Sequence, residues 1–108
     1  MPRGALEVQV DALLVDLEGA MKKNVLWTSR PPSDWAMQSA APFACDRMEF
    51  EQWLQFMFIP KMKALTAQAQ PLPDKIAIYP MGQEMFKEKA VDVLRLLRKI
   101  DQRLSEQY

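Results

Sequence analysis

The chain has 108 residues, of which 49% are hydrophobic and 26% charged, and its fourteen basic residues balance fourteen acidic ones. This length and composition are typical of one globular domain and exclude a disordered or fibrous class. The balanced charge removes the overall attraction by which non-specific binders of nucleic acid or acidic membranes act, so any such contact needs a local patch.

The sequence lacks the residues on which most catalytic and metal sites depend. It contains no histidine and one cysteine, Cys45. Nucleophilic triads of the usual kind, histidine-zinc sites, four-cysteine metal sites and intrachain disulfides are therefore excluded. Asp46, Glu49 and Glu51 cluster near a helix start, where capping and solvation explain them better than acid-base catalysis. We expect no enzyme activity, no cofactor and no metal.

The beginning of the chain does not resemble a targeting segment. Glu7 and Asp11 interrupt the apolar pattern that a signal peptide needs, and no apolar run reaches the length of a membrane span. We expect a cytoplasmic location and no membrane association.

A first amphipathic helix is predicted over residues 5–23. Its apolar residues recur at three- and four-residue spacing: Leu6, Val10, Leu13, Leu14, Leu17 and Met21. Asn24 is predicted to take the left-handed conformation that commonly ends a helix. An ordered proline-rich loop over residues 26–35 should follow, with Trp27 and Trp35 covering one end of the core.

A central helix is predicted to begin at a capping box formed by Asp46 and Glu49. At about 100° per residue, its apolar side contains Phe50, Trp53, Leu54, Met57, Ala64 and Leu65, and its polar side Glu51, Gln52 and Gln55. Phe56 lies on the margin of the apolar side and Ile59 well off it, so these two are either covered by another segment or exposed. Pro60 should bend the helix before Met62 and Leu65 continue the core.

The last third of the chain is predicted to be an extended connection followed by a helix. Residues 71–80 hold three prolines, and no second strand exists with which Ile76 and Ile78 could pair. The helix covers residues 85–106, with an apolar stripe of Phe86, Ala90, Val93, Leu94, Leu97, Ile100 and Leu104. The sequence therefore predicts a single all-α domain over residues 1–108, a small bundle of about four helices with proline-rich ordered loops.

Several uncommon short runs occur in a fixed order along the chain: Pro42-Phe43, Met48-Glu49, Trp53-Leu54-Gln55, Ile59-Pro60-Lys61-Met62 and Gln70-Pro71-Leu72-Pro73. They resemble the signature of the bacterial YqcC-like family, most clearly across residues 39–86. The resemblance implies a small helical bundle of uncharacterised function whose gene often lies beside that of tRNA pseudouridine synthase C. It does not imply that activity, because such synthases are larger mixed folds with an aspartate nucleophile in a Gly-Arg-Leu-Asp-like context, which this sequence lacks.

One candidate surface is rich in aromatic residues and methionine and is expected to bind a protein partner or a second copy of the chain. Its residues are Trp35, Phe43, Phe56, Ile59 and Tyr79. Ordinary core packing is the alternative explanation for these side chains. A small apolar ligand held between helices is an alternative occupant.

The second candidate surface is a basic row on the last helix, formed by Arg95, Arg98, Lys99 and Arg103. Such a row could contact RNA phosphates in a tRNA-modification setting, with Trp27, Trp35 or Tyr79 stacking on unpaired bases. Glu88, Asp92 and Asp101 lie in the same turns and should partly neutralise it. The leading hypothesis is therefore a non-enzymatic accessory domain that binds a protein, with RNA binding as the alternative.

Overall fold

The computed structural model describes residues 4–74, 76–87 and 89–106. Its helices are α1 Ala5–Lys23, α2 Asp34–Met37, α3 Phe50–Trp53, α4 Ile59–Ala67, α5 Ile78–Phe86 and α6 Val91–Ser105. A 3-10 turn, Pro42–Ala44, precedes α3, and a π-helical turn, Leu54–Phe58, joins α3 to α4; these three segments, α3, the π turn and α4, form the central helix. The described residues contain no strand, which confirms the predicted all-α class.

The core lies where α1 packs against both α4 and α6, and α5 closes it by packing on α6. The predicted stripes of α1 and α6 supply half of its buried residues: Val10, Leu14, Leu17 and Met21 from α1, and Val93, Leu97, Ile100 and Leu104 from α6 are fully buried. From the central helix, Phe50, Leu54, Phe58, Ile59 and Met62 join the same cluster. Helices α1 and α6 have the regular 3.6-residue period that the sequence pattern assumes.

Val25, and not the predicted Asn24, takes the left-handed conformation after α1, with φ 60°. Its N–H donates to Lys22 O, and the Leu26 N–H donates to Met21 O, which is the Schellman arrangement usually built on glycine. Asn24 has φ −94° and uses its side chain instead, donating to Ala20 O and to Asp92 Oδ1 at 2.8 Å. It thereby joins the end of α1 to the start of α6.

The central helix begins one residue after Glu49, so the prediction that Asp46 caps it is wrong. Glu49 is the N-cap, and its N–H donates to Gln52 Oε1. Asp46 Oδ1 instead accepts a hydrogen bond from the Ser39 hydroxyl. The predicted irregularity near Pro60 takes the form of the π turn just before it, in which the Ile59 N–H donates to Leu54 O. A π turn adds one residue, so side chains beyond it are rotated by about 100° from the α-helical prediction.

The structure corrects three predictions for the central helix, two of them at residues beyond the π turn. Ile59, predicted to lie off the apolar side, is 2% exposed, whereas Ala64, predicted to lie on it, is exposed. Gln55, predicted to be on the polar side, is 7% exposed.

The predicted last helix, over residues 85–106, in fact begins at Val91 as α6, and its first two positions belong to the end of α5. Lys87, with φ 53° and ψ −124°, and Ala90, with φ 53°, interrupt the helical backbone between them. Pro80 suggested an extended chain, but it lies in the first turn of α5, where no N–H is needed. Gly82 lets α5 approach α6 closely, since a Cβ there would meet Leu97 Cδ1 at 2.6 Å.

Residues 26–33 form the predicted proline-containing loop, and α2 follows it. Trp27 is half-buried and packs on the core as expected. Trp35 is 63% exposed, so the prediction that it covers the core is wrong. The Arg47 guanidinium lies 4.3 Å from the centre of the Trp35 ring.

Candidate functional site

An apolar groove with a volume of about 500 Å³ lies along the central helix. One wall is formed by residues of the central helix, among them Trp53, Phe56 and Met57. Three other segments complete the lining: α2 with Met37, the 3-10 turn with Pro42 and Phe43, and the connection before α5. The connection contributes Pro73 and Ile76. Three separate stretches of chain therefore converge on one helix surface.

The π turn places the wall residues, and a buried amide holds the turn in place. Gln55 Nε2 donates to Thr28 O at 2.6 Å, and the Thr28 N–H donates to Gln55 Oε1 at 2.9 Å. This paired hydrogen bond satisfies both polar ends of the amide and ties the loop before α2 to the turn. Phe56 and Met57 follow Gln55 directly and lie half-buried on the groove.

Contacts between aromatic rings hold the lining of the groove in place. The centre of the Trp53 ring lies 5.0 Å from that of Phe43 in an edge-to-face arrangement, and 5.3 Å from that of Phe58 in a stacked one. Phe43 has φ 58° and ψ 16°, a left-handed conformation that is unfavourable for a bulky side chain. The energy of these ring contacts offsets that strain, so the position of Phe43 over Trp53 is imposed by packing.

Lys61 contributes the single charged side chain among the described residues that line the groove. It is exposed, and among the described residues it forms no ion pair. A carboxylate on an occupant could therefore pair with it without displacing an internal partner.

The structure brings together some of the predicted interaction residues and separates others. Phe43 and Phe56 line the groove, whereas Ile59 is buried beneath it, which corrects its place on the predicted surface. Trp35 is exposed but does not line the groove. Tyr79 lies elsewhere, at the start of α5, where the Arg98 guanidinium is 5.9 Å from its ring centre.

The sequence pattern did not reveal several lining residues. Met37, Pro73 and Ile76 come from short or extended segments without a helical period, so no pattern connected them with the central helix. The concentration of Met, Pro and aromatic residues around positions 35–62 was the available signal.

The four basic residues predicted to contact RNA are all exposed on α6. Arg103 Nη1 lies 3.7 Å from Glu106 Oε2. Asp101, predicted to neutralise the row in part, accepts hydrogen bonds from the Ile78 and Tyr79 N–H groups at 3.1 and 2.8 Å. Asp92 Oδ1 accepts a hydrogen bond from Asn24 Nδ2. Glu88 lies outside the described residues.

Neither a metal centre nor a membrane span occurs in the part of the chain that the structure describes. Among residues 4–74, 76–87 and 89–106, no three carboxylate or cysteine side chains converge as metal ligands would. No helix in those ranges combines the length and apolarity needed to cross a bilayer. The Cys45 side chain is exposed and unpaired.

Fold and site together define a small helical-bundle domain built around an apolar groove. The family model described as tRNA pseudouridine synthase C matches residues 9–103. An uncharacterized protein of Haemophilus influenzae is 44% identical over 75 residues, which are 69% of this chain and 71% of that protein. The solution NMR structure of protein YqcC from Escherichia coli superposes with a TM-score of 0.85 at 27% identity, covering 97% of this chain and 92% of that one.

The chain therefore belongs to the YqcC-like family, as the runs between residues 42 and 73 indicated. A further relative is a Pectobacterium carotovorum protein named tRNA pseudouridine synthase C, 40% identical over 67 residues. That match covers 62% of this chain but 18% of the relative, so most of the longer protein has no counterpart here.

Proposed function

We propose that this chain is a non-enzymatic accessory domain that binds a tRNA pseudouridine synthase through the apolar groove. The observation that carries the proposal is the groove itself, about 500 Å³ in volume, whose described lining consists of aromatic rings, methionines and other apolar side chains with one unpaired cation, Lys61. Exposed methionine and aromatic side chains adapt to apolar anchors of a partner and dominate the energy of protein interfaces.

The composition of the groove favours a protein partner over a small ligand. Its volume lies within the range of small-molecule sites, but such sites also carry several converging polar groups that orient the ligand. Within the described part of the chain, Lys61 is the one charged side chain of the lining, and the other lining side chains are apolar. An apolar side chain on a partner segment, with a neighbouring carboxylate for Lys61, fits this arrangement without further polar groups.

The longer Pectobacterium relative supports the choice of partner. A segment similar to this chain makes up 18% of a protein named tRNA pseudouridine synthase C. Two units that share one polypeptide in one organism are reasonable candidates to associate as separate chains in another. The sequence lacks the Gly-Arg-Leu-Asp-like context of such synthases, which agrees with an accessory role in which the partner supplies the chemistry.

The test is calorimetric titration of the chain with the tRNA pseudouridine synthase C of the same organism, using two matched methionine variants. Met57→Ala removes a groove side chain, and we expect the complex to weaken about thirty-fold, or about 2 kcal/mol. Met85→Ala removes an exposed methionine outside the groove and should bind like the native chain. Lys61→Glu should weaken binding several-fold.

Circular-dichroism melting of both methionine variants checks that each remains folded. Equal affinity of Met57→Ala and Met85→Ala, or the absence of a complex, contradicts the proposal. Native mass spectrometry of the purified chain tests the alternative occupant, because a co-purifying apolar molecule lost in Met57→Ala would favour a small-ligand site instead.

A further inference from the structure

The exposed face of α6 carries an evenly spaced row of cations. Arg95, Lys99 and Arg103 follow each other at four-residue intervals, which places them on one side of the helix about 6 Å apart along its axis. Arg98 adjoins Lys99, and all four side chains are exposed. In a chain of zero net charge, this concentrates positive charge on one helix.

The carboxylates of α6 offset this charge only at a distance, because they bond to groups other than Arg95, Arg98 and Lys99. Both oxygens of Asp101 are occupied by N–H groups of α5, and Asp92 Oδ1 accepts from Asn24 and from the Val93 N–H. Glu106 pairs with Arg103 at the end of the row. Among the described residues, Arg95, Arg98 and Lys99 therefore form no ion pair.

We propose that this basic face contacts the phosphate backbone of RNA, independently of sequence and apart from the groove. A row of unpaired cations on a rigid helix suits a regular polyanion, since each neutralised phosphate releases bound counterions. Tyr79 is half-buried beside Arg98, so it offers no open ring for base stacking. The choice of RNA among polyanions rests on the proposed function, because the proposed partner modifies tRNA.

A membrane surface fits this face less well. Val93, Leu97, Ile100 and Leu104, the apolar stripe of α6, are fully buried in the core. The helix therefore has no apolar side left to enter a lipid interface, as surface-bound amphipathic helices do.

The test is fluorescence anisotropy with an unmodified tRNA transcript at several salt concentrations. With three contacts, the slope of log affinity against log salt should lie between about −2.1 and −2.7, which is a roughly 20- to 40-fold loss of affinity from 50 to 200 mM salt. The variant Arg95→Gln, Arg98→Gln, Lys99→Gln should bind at least about tenfold more weakly at 50 mM and lose most of this salt dependence.

The control is Lys23→Gln, Arg30→Gln, Lys63→Gln, which removes the same charge from exposed positions outside α6. It should retain the native affinity for the transcript. Failure of the native chain to bind at 50 mM, equal weakening of the two triple variants, or displacement of the RNA by polyglutamate at equal charge concentration would overturn the proposal.

The same variants separate this inference from the proposed function. The α6 variant should bind the synthase normally when RNA is absent, whereas Met57→Ala should lose the synthase and keep the tRNA transcript. Loss of one interaction without the other identifies which proposal has failed.

Discussion

The apolar groove and the basic face of α6 hold their side chains in opposite ways. In the groove, Phe43 and Trp53 are braced against each other with ring centres 5.0 Å apart. On α6, Arg95 and Lys99 are exposed and have no ion pair among the described residues. A partner of the groove meets a wall that is already formed, so shape should control how slowly it dissociates. A partner of α6 meets solvated charges, which govern association and salt dependence.

A polar side chain lies next to each surface. Gln55 joins the π turn of the groove to Thr28, and Asp101 joins α6 to the start of α5. Altering Gln55 is therefore expected to disturb the groove and spare the cations of α6, and altering Asp101 is expected to loosen the start of α5 and spare the groove.

Gln55→Ala should have the largest effect on stability. It removes both hydrogen bonds to Thr28 and leaves that residue's N–H and C=O half-buried without these partners, at a cost of about 3 kcal/mol. Guanidinium unfolding measures the loss, and Gln70→Ala, at an exposed position, should be neutral. Affinity for the synthase should fall while the transcript is still bound. An unchanged groove affinity in a folded Gln55→Ala protein would break the comparison.

Asp101→Ala should have the next largest effect on stability. It should lower the free energy of unfolding by about 2 kcal/mol, because the first turn of α5 loses its charged acceptor. Asp101→Asn keeps the shape and one acceptor oxygen, and should cost about half as much. Asp16→Ala, which removes an exposed carboxylate from α1, serves as the control. Hydrogen exchange at the Ile78 and Tyr79 amides should accelerate in Asp101→Ala. Protection that persists there would show that α5 is held by packing alone.

Val25→Gly should change the free energy of unfolding least, and it should raise it. Glycine adopts the left-handed conformation without the steric cost that valine incurs at φ 60°, and the side chain is 87% exposed, so little burial is lost. We expect a gain of about 1 kcal/mol by thermal unfolding. Val8→Gly, within the regular part of α1, should instead lose roughly 0.5 kcal/mol. Both affinities should stay unchanged in Val25→Gly, because a gain in stability by itself alters neither surface.

The behaviour of α6 shows what periodicity predicts well. Four residues of its predicted stripe, Val93, Leu97, Ile100 and Leu104, are fully buried, and its cations are exposed. The helix is regular from Val91 to Ser105, so a fixed rotation per residue describes every side chain. The break before it was missed because Lys87 and Ala90 adopt left-handed conformations that their residue types do not suggest.

The central helix shows where the same reasoning fails. One π turn shifted every later residue, which buried Ile59 and exposed Ala64. Gln55 was judged polar and therefore exposed, but its amide finds both partners in a loop 27 residues away. A local pattern carries no information about such a distant hydrogen bond.

By itself, the sequence determined the all-helical class, the core stripes of α1 and α6, the YqcC-like family and the residue types at both candidate surfaces. These follow from local periodicity, composition and short runs of residues. The tertiary structure alone decided that Phe43 and Phe56 meet Met37 and Ile76 in one groove, and that Asp101 accepts hydrogen bonds from the first two amides of α5. Both outcomes depend on which distant segments pack together, and packing is set by the whole chain at once.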